Sequence, residues 1–373
     1  MAESSKPEAP DDEALSELRG KIDQLDKDLV QLLNQRANLA KSVAKVKETH
    51  LAPGEKVEFY RPEREAQVLR RVMEMNPGPL AGETVARIFR EVMSACLALE
   101  EPTRVAFLGP DGTFTQAAAL KHLGRGIVSV ALPSINDVFR EVSADAVRYG
   151  VVPVENSTQG MVSLTLDSFQ DFDLKICGEV ELRIHHHLLI GENTKPNAIT
   201  RIYSHQQSFA QCRNWLDTHM PQADRIEVRS NGEAAKRIQH EWNAAAIAGD
   251  MAVELYDLKA IANNIEDNPN NTTRFLIIGK QDVAPSGEDK TSIIVTTENT
   301  PGALHRLLAP FETSGISLTR IETRPARTSK WHYVFFIDFE GHVDDPTVRE
   351  VMRELEKEAT DVRWLGSYPK AVI

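Results

Sequence analysis

The 373-residue chain is 41% hydrophobic and 26% charged, an ordinary soluble composition, and its length suits two or three domains. A formal charge of −12 leaves no basic excess to neutralise phosphates, which argues against general nucleic-acid binding. Three scattered cysteines, Cys96, Cys177 and Cys212, form no disulfide framework or zinc motif, and no apolar run reaches the ~18 residues of a membrane span. The first residues carry neither an apolar signal core nor an arginine-rich transit pattern, so 1–12 reads as a disordered tail and the chain as cytoplasmic.

Apolar residues recur at helical spacing through Leu15, Leu18, Ile22, Leu25, Leu29, Leu32, Leu39, Val43 and Val46, with no proline across 15–48. This predicts one helix of roughly 50 Å. Two shorter helices follow, over about 62–75 and 81–100. They cannot cover so long a stripe, so a second copy is expected to do so in a helical dimer. Charges fall on the apolar faces. Arg36 fills the gap in the first stripe, and Lys47 lies three turns later, within ~20° of it. Arg64 and Glu65 precede Val68 and Val72. In the third helix Val85, Ile88, Phe89, Val92 and Met93 lead to Cys96 and Glu100 on one face. Arg19 sits at the edge of its stripe, within reach of the other protomer. One such residue alone reads as a snorkelling surface charge. Several on three helices imply a pocket for a ligand with at least two negative charges, because unpaired buried charge is expensive.

The segments "LRGKIDQLDKDLVQLLNQRANLAKSVAKVK", "RPEREAQVL" and "IFREVMSACLALE" resemble the all-helical chorismate mutases, with the domain over about 13–102. The resemblance implies that Arg19 of the partner chain, Arg36 and Arg64 bind the two carboxylates of chorismate. Lys47 and residue 100 would bond to the ether oxygen whose bond breaks, and Glu65 would hold a substrate hydroxyl. A pericyclic rearrangement needs no nucleophile, only a compact conformer and donors at the developing oxygen charge. Arg61 stands where some members have Asp, Cys96 where some have Ser, and Glu100 where Gln is common. A carboxylate cannot donate to an ether oxygen, so Glu100 is expected to act as the acid, with a pKa raised by burial.

From Thr103 onward strands alternate with helices, an α/β pattern. Four polar loops fall where ligands sit in such sheets: 109–115, 155–160, 204–208 and 271–274. Taken singly, "GPDGTF" reads as a capped turn as readily as an anion site. The run His185–His187 suggests a metal, but adjacent strand residues point to opposite faces and no carboxylate or cysteine cluster accompanies it, so no metal is expected. Together, "FLGPDGTFTQAAA", "VVPVENSTQGMV", "YSHQQSFAQC" and "NNTTRFLIIG" resemble the prephenate dehydratases over about 103–281. That implies two α/β lobes of the periplasmic-binding-protein type, with the chain crossing twice and prephenate between them. Thr273 is expected to donate to the departing oxygen and Arg274 to face a substrate carboxylate. Glu155, Asn156, Ser157, Thr113, Ser204 and His205 are expected to line the cleft, while Phe275 opens a buried strand.

A turn-rich linker at 286–290 precedes a strand, a helix from about 302, two strands, a helix at 346–359 and a last strand, the ferredoxin-like order βαββαβ. "ENTPGALHRLL" and "RIETRP" resemble the effector motifs of ACT domains in phenylalanine-regulated enzymes, here over 290–368. By that resemblance Asn299, Gly302, Ala303, Leu304, Glu322, Thr323 and Arg324 bind L-phenylalanine at a dimer interface. The expectation is a multidomain α and α/β enzyme without cofactors, a homodimer or larger homo-oligomer. A fused nicotinamide-dependent dehydrogenase would need a glycine motif the sequence lacks. A non-catalytic sensor, or a dehydratase whose helices only dimerise, remain as rivals.

Overall fold

The structure, a computed structural model, describes residues 12–49, 58–325 and 333–373. Helix α1 (Asp12–Thr49) already includes the last residue of the expected tail; 1–11 lie outside the described residues. It is followed by α2 (Pro62–Met75), opened by a proline whose fixed φ suits a first turn, and α3 (Gly82–Ala98). Leu18, Ile22, Leu25, Leu29, Leu32, Leu39, Val43 and Val46 are all more than half exposed, so within one chain the α1 stripe is uncovered. The inner face of α3 differs from expectation: Ala86, Arg90, Ser94 and Cys96 are buried, while Ile88 and Phe89 stay exposed beside the open stripe. The buried face docks on the next domain. The Gly126 N–H donates to Ser94 Oγ at 2.9 Å, the Arg125 N–H to Glu91 Oε2 at 2.9 Å, and Arg90 Nη1 to the Lys121 carbonyl at 2.9 Å.

The middle region has two lobes. The first runs β1 (Arg104–Leu108), α4 (Phe114–Leu123), β2 (Val128–Leu132), α5 (Ile135–Ser143), β3 (Tyr149–Asn156), β4 (Gly160–Met161), α6 (Ser163–Asp171) and β5 (Lys175–Arg183). The second runs β6 (His187–Ile190), β7 (Arg201–Ser204), α7 (Gln206–Gln211), α8 (Arg213–His219), β8 (Asp224–Glu227), α9 (Asn231–Ile238), β9 (Ala244–Ala248), α10 (Asp250–Tyr256) and β10 (Lys259–Ala262). Strand β11 (Thr272–Gly279) returns to the first lobe and inserts antiparallel between β3 and β5, giving the order β2-β1-β3-β11-β5 with β4 on β3. The second sheet has the order β10-β6-β9-β7-β8. Alternation along β11 feeds two cores: Phe275 and Ile277 pack with α4, Leu276 and Ile278 with α5 and α6.

The two crossings between lobes are tied by Glu266. Its carboxylate accepts from the His186 N–H (2.8 Å) and bonds to His185 Nδ1 (2.8 Å). Burial works against the Glu266 charge, but these bonds hold the carboxyl below its ordinary range. The histidine run is therefore spent on the hinge, His186 bonding onward to Gln211 Oε1 at 2.7 Å. Among the described residues no group of three His, Cys, Asp or Glu side chains could hold a metal.

The C-terminal domain runs β12 (Asp289–Thr297), α11 (Ala303–Thr313), β13 (Leu318–Pro325), β14 (Tyr333–Glu340), α12 (Pro346–Glu358) and β15 (Asp361–Pro369). Its antiparallel sheet has the order β13-β14-β12-β15. Alternation again supplies two faces. Ile293, Val295, Phe335, Ile337 and Phe339 pack under α11 and α12, while Ile294, Val334, Phe336, Leu365 and Tyr368 join the first-lobe core. The expected linker is a tight turn: Asp289 accepts from the Ser286 and Gly287 N–H groups, and Arg70 of α2 donates to the Ser286 carbonyl. β15 approaches β5 so closely that a Cβ on Gly366 (φ +145) would lie 2.4 Å from the Ile176 carbonyl oxygen. Gly366→Ala should therefore loosen this seam by about 1–3 kcal/mol. A lower urea midpoint and faster proteolysis at 286–290 would register it; an unchanged midpoint would show that the seam can yield.

Candidate active sites

Lys47, in the last turn of α1, and Glu100, just beyond α3, come together at one end of the helical region. The Lys47 ammonium donates to the Glu58 carbonyl at 3.0 Å and lies 5.9 Å from the Phe59 ring centre. Burial and the Arg61 charge push its pKa down against the pull of Glu100, Glu63 and Glu58. Burial pushes the Glu100 carboxyl up, with Lys47 pulling against it. An ammonium beside a carboxylic acid can place two donors on one oxygen. Arg36 is half-buried on the same face as Lys47, eleven residues and about 16 Å back along the axis. Arg19 and Arg64 are exposed. Glu65 departs from expectation. Its Oε1 accepts from Arg90 Nε at 3.0 Å between α2 and α3, so it holds the arginine that docks on the neighbouring domain rather than a substrate hydroxyl.

In the two-lobed region, the loops after β1, β3 and β7 leave the carboxyl ends of parallel strands, and the start of β11 lies beside the end of β3. Thr273 pairs in register with Asn156. Asn156 Nδ2 donates to Thr273 Oγ1 and to Asn271 Oδ1, both at 2.8 Å. Its Oδ1 accepts from the Thr158 N–H (3.0 Å), the Thr158 hydroxyl (2.6 Å) and the Gln159 N–H (3.1 Å), which fixes the amide orientation. Thr273 Oγ1 is the acceptor in this bond, so the Thr273 proton remains to be donated. Asn271, which the motif reading had not singled out, is fully buried, and its Nδ2 has no partner among the described residues.

The other expected cleft residues divide. His205 Nδ1 accepts from the Gln207 N–H at 3.3 Å, leaving Nε2 to carry the ring proton, and burial lowers its pKa against Glu227. Glu155 is half-buried, opposite Met161 and Arg274 in the strand pairing. Ser157 Oγ accepts from the Thr272 N–H at 3.0 Å, and the Thr113 hydroxyl donates to the Leu108 carbonyl at 3.1 Å. Ser204 is a correction. It is fully buried and donates to Asn231 Oδ1, which also accepts from the His205 N–H and the Ser208 hydroxyl. It braces the loop and cannot touch a ligand. Arg274 is the second correction. Adjacent strand residues face opposite ways. Its Nε, Nη1 and Nη2 are spent on Glu179 (2.8 Å), Asp338 (2.8 Å) and Tyr368 (3.1 Å), away from Thr273.

The chain matches the chorismate mutase type II family over 18–101, the prephenate dehydratase family over 105–283 and the ACT domain family over 291–357. It is 61% identical to a bifunctional chorismate mutase/prephenate dehydratase of Pseudomonas aeruginosa, over 97% of this chain and all of that one. The chain belongs to this bifunctional family. A Neisseria gonorrhoeae relative of the same description is 47% identical over 97% of this chain and 99% of its own. The crystal structure of a prephenate dehydratase from Arthrobacter aurescens in complex with L-Phe superposes with a TM-score of 0.66 at 33% identity, covering 72% of this chain and 90% of that one.

In the ACT domain, Gly302 takes a left-handed conformation (φ +80) as the N-cap of α11, followed by buried Ala303 and exposed Leu304. Asn299 and Thr323 are exposed and Glu322 half-buried, the last two on the edge strand β13. Arg324 is otherwise engaged, donating to the Asp167 carboxylate (3.1 Å) and Ser163 Oγ (3.0 Å) of the dehydratase helix α6. It is a bridge between domains.

A donor role for Glu100 predicts a pH signature for the mutase. The donor form of Glu100 disappears as pH rises through its raised pKa, so mutase activity should fall there first. The Lys47 ammonium, with its pKa lowered from a higher starting value, should be lost only at higher pH. Glu100→Gln keeps a donor at every pH and should erase the earlier decline. An unmoved alkaline limb in the pH–rate profile would remove Glu100 from the reaction.

Proposed function

We propose that this chain converts chorismate to prephenate in its helical domain and prephenate to phenylpyruvate in the dehydratase cleft. It thereby serves L-phenylalanine biosynthesis, with L-phenylalanine as its inhibitor. In the first reaction an ether C–O bond breaks as a C–C bond forms. Lys47 and protonated Glu100 donate to the ether oxygen as charge develops on it, and Arg36, Arg64 and the Arg19 of a second copy hold the two carboxylates. In the second, prephenate loses its ring carboxylate as CO2 and its ring hydroxyl as water, driven by aromatisation. The observation carrying this step is the Asn156–Thr273 bond, which sets the hydroxyl and leaves its proton free to donate to the departing oxygen. A threonine hydroxyl is too weak an acid to protonate outright, so it acts by hydrogen bonding or relay, with His205 as the titratable group on a neighbouring element; Glu155, opposite Arg274 in the strand pairing, is sent to the other face.

The helical domain works as a homodimer, because the α1 stripe is uncovered from Leu18 to Val46 and the exposed Arg19 has no ion pair among the described residues. The α11 N-terminus and the exposed face of β13 bind the amino acid between two ACT domains. The three buried free thiols suit a reducing cytoplasm, and among the described residues no helix is long and apolar enough to cross a membrane.

Purified protein supplied with chorismate alone, then with prephenate alone, should give phenylpyruvate from both. Product from prephenate only would reduce the helices to a dimerising scaffold. Product from neither would leave an amino-acid sensor. Sedimentation equilibrium on the same sample should return at least twice the chain mass.

A further inference from the structure

Thr273 and Arg274 are consecutive on β11 but belong to different domains' business. Thr273 faces Asn156. Arg274 enters a buried ionic cluster in which every other partner except Glu179 is supplied by the ACT domain. Asp338 of β14 takes Nη1, and Tyr368 of β15 takes Nη2. Ser292 of β12 bonds to both Asp338 (2.6 Å) and Tyr368 (2.9 Å), and Lys290 holds Glu179 at 2.7 Å. Arg320 of β13 reaches the same Asp338 oxygen at 3.4 Å, and its Nε and Nη2 are buried without partners among the described residues. Ionised, the cluster holds three cations against two carboxylates. It therefore depends on Asp338 staying between Arg274 and Arg320. β13, which carries Arg320, also carries Glu322 and Thr323 of the effector motif.

We propose that Arg274 is a positioning residue through which the ACT domain sets the dehydratase site. Asp338 and Tyr368 fix the guanidinium, the guanidinium fixes the first residues of β11, and Thr273 takes its place opposite Asn156 as a result. A shift of β13 on effector binding moves Arg320, changes the hold on Asp338 and releases or draws Arg274. Catalysis and effector binding are thus coupled through one strand and one carboxylate. The proposal rests on Thr273 as the donor and on the ACT domain as the L-phenylalanine sensor.

Asp338→Asn keeps the shape and removes the charge. It should lower the dehydratase kcat by about ten- to a hundredfold with little change in KM, because a displaced catalytic group hurts turnover more than binding. Mutase activity should stay at the wild-type level. L-Phenylalanine should still bind in calorimetry, yet inhibit at least about tenfold less effectively, the two sites having lost their coupling. Tyr368→Phe, which removes one bond and keeps the ring, should shift both quantities the same way by less, and carries the test if Asp338→Asn fails to fold. In a Thr273→Ala background neither substitution should reduce the residual rate further. Wild-type kcat and wild-type inhibition in both variants would overturn the proposal alone. Full turnover in Thr273→Ala, or a wild-type enzyme indifferent to L-phenylalanine, would overturn the underlying reading with it.

Discussion

Replacing Thr273 with alanine is expected to cut phenylpyruvate formation from prephenate by about 10²- to 10³-fold, the usual effect of removing one donor from a developing oxygen charge. The loss should fall on kcat, since the bond to the departing oxygen strengthens only as that oxygen leaves. The variant should fold, because the substitution removes only one hydroxyl, which accepts a single bond, and one methyl from a residue that is 9% exposed. That costs about 1–2 kcal/mol. Thr273→Ser, which keeps the hydroxyl, should restore much of the rate. Supplied with chorismate, the alanine variant should accumulate prephenate, so one progress curve separates the two activities. Near-wild-type phenylpyruvate production would sink the assignment.

The second large effect is expected at Lys47. Lys47→Ala removes the cation that acts on Glu100 and should slow the chorismate rearrangement by about 10²- to 10³-fold. Dehydratase turnover on supplied prephenate should be unchanged. Stability should hold, because burial and the nearby Arg61 already weigh against the Lys47 charge and its direct bond among the described residues is to a carbonyl at the domain edge. Loss of both activities together would mean the substitution had broken the fold rather than the chemistry.

Much of this was legible before any coordinates. Helix α2 begins at Pro62 and ends at Met75 as its spacing and proline implied. The order βαββαβ followed from strands of alternating polarity separated by two helical stretches. The places where sequence reasoning failed share a cause: it established what a residue is next to along the chain, not which face it is sent to. Thr273 and Arg274 read as a pair of donors, yet the alternation that had argued against a metal at His185–His187 sends them apart. Helical phase put Glu65 and the third helix's stripe inward. It could not say that inward for Glu65 means the dehydratase domain, nor that the true inner face of α3 is the one holding Arg90 and Ser94. Ser204 has the right type and loop for a ligand contact. Only the placement of Asn231, 27 residues away, shows its hydroxyl already taken.

The strand order of the first lobe has a consequence for how the protein is made. β11 lies between β3 and β5, and its Thr273 is 117 residues downstream of Asn156. At ribosomal speeds of roughly 5–20 residues per second, that separation is roughly 6–23 s of synthesis. For the rest of that interval once β5 (Lys175–Arg183) has been made, β3 and β5 face each other across an empty slot, each with an edge of unpaired N–H and C=O groups. Both cores of the lobe lack the four residues Phe275–Ile278 that join them. The Thr273 hydroxyl proposed as the donor thus arrives on the strand that closes the sheet. A chain that has stalled before β11 can own only part of the dehydratase site, and the long helix with its exposed leucines has by then been waiting for its partner the longest.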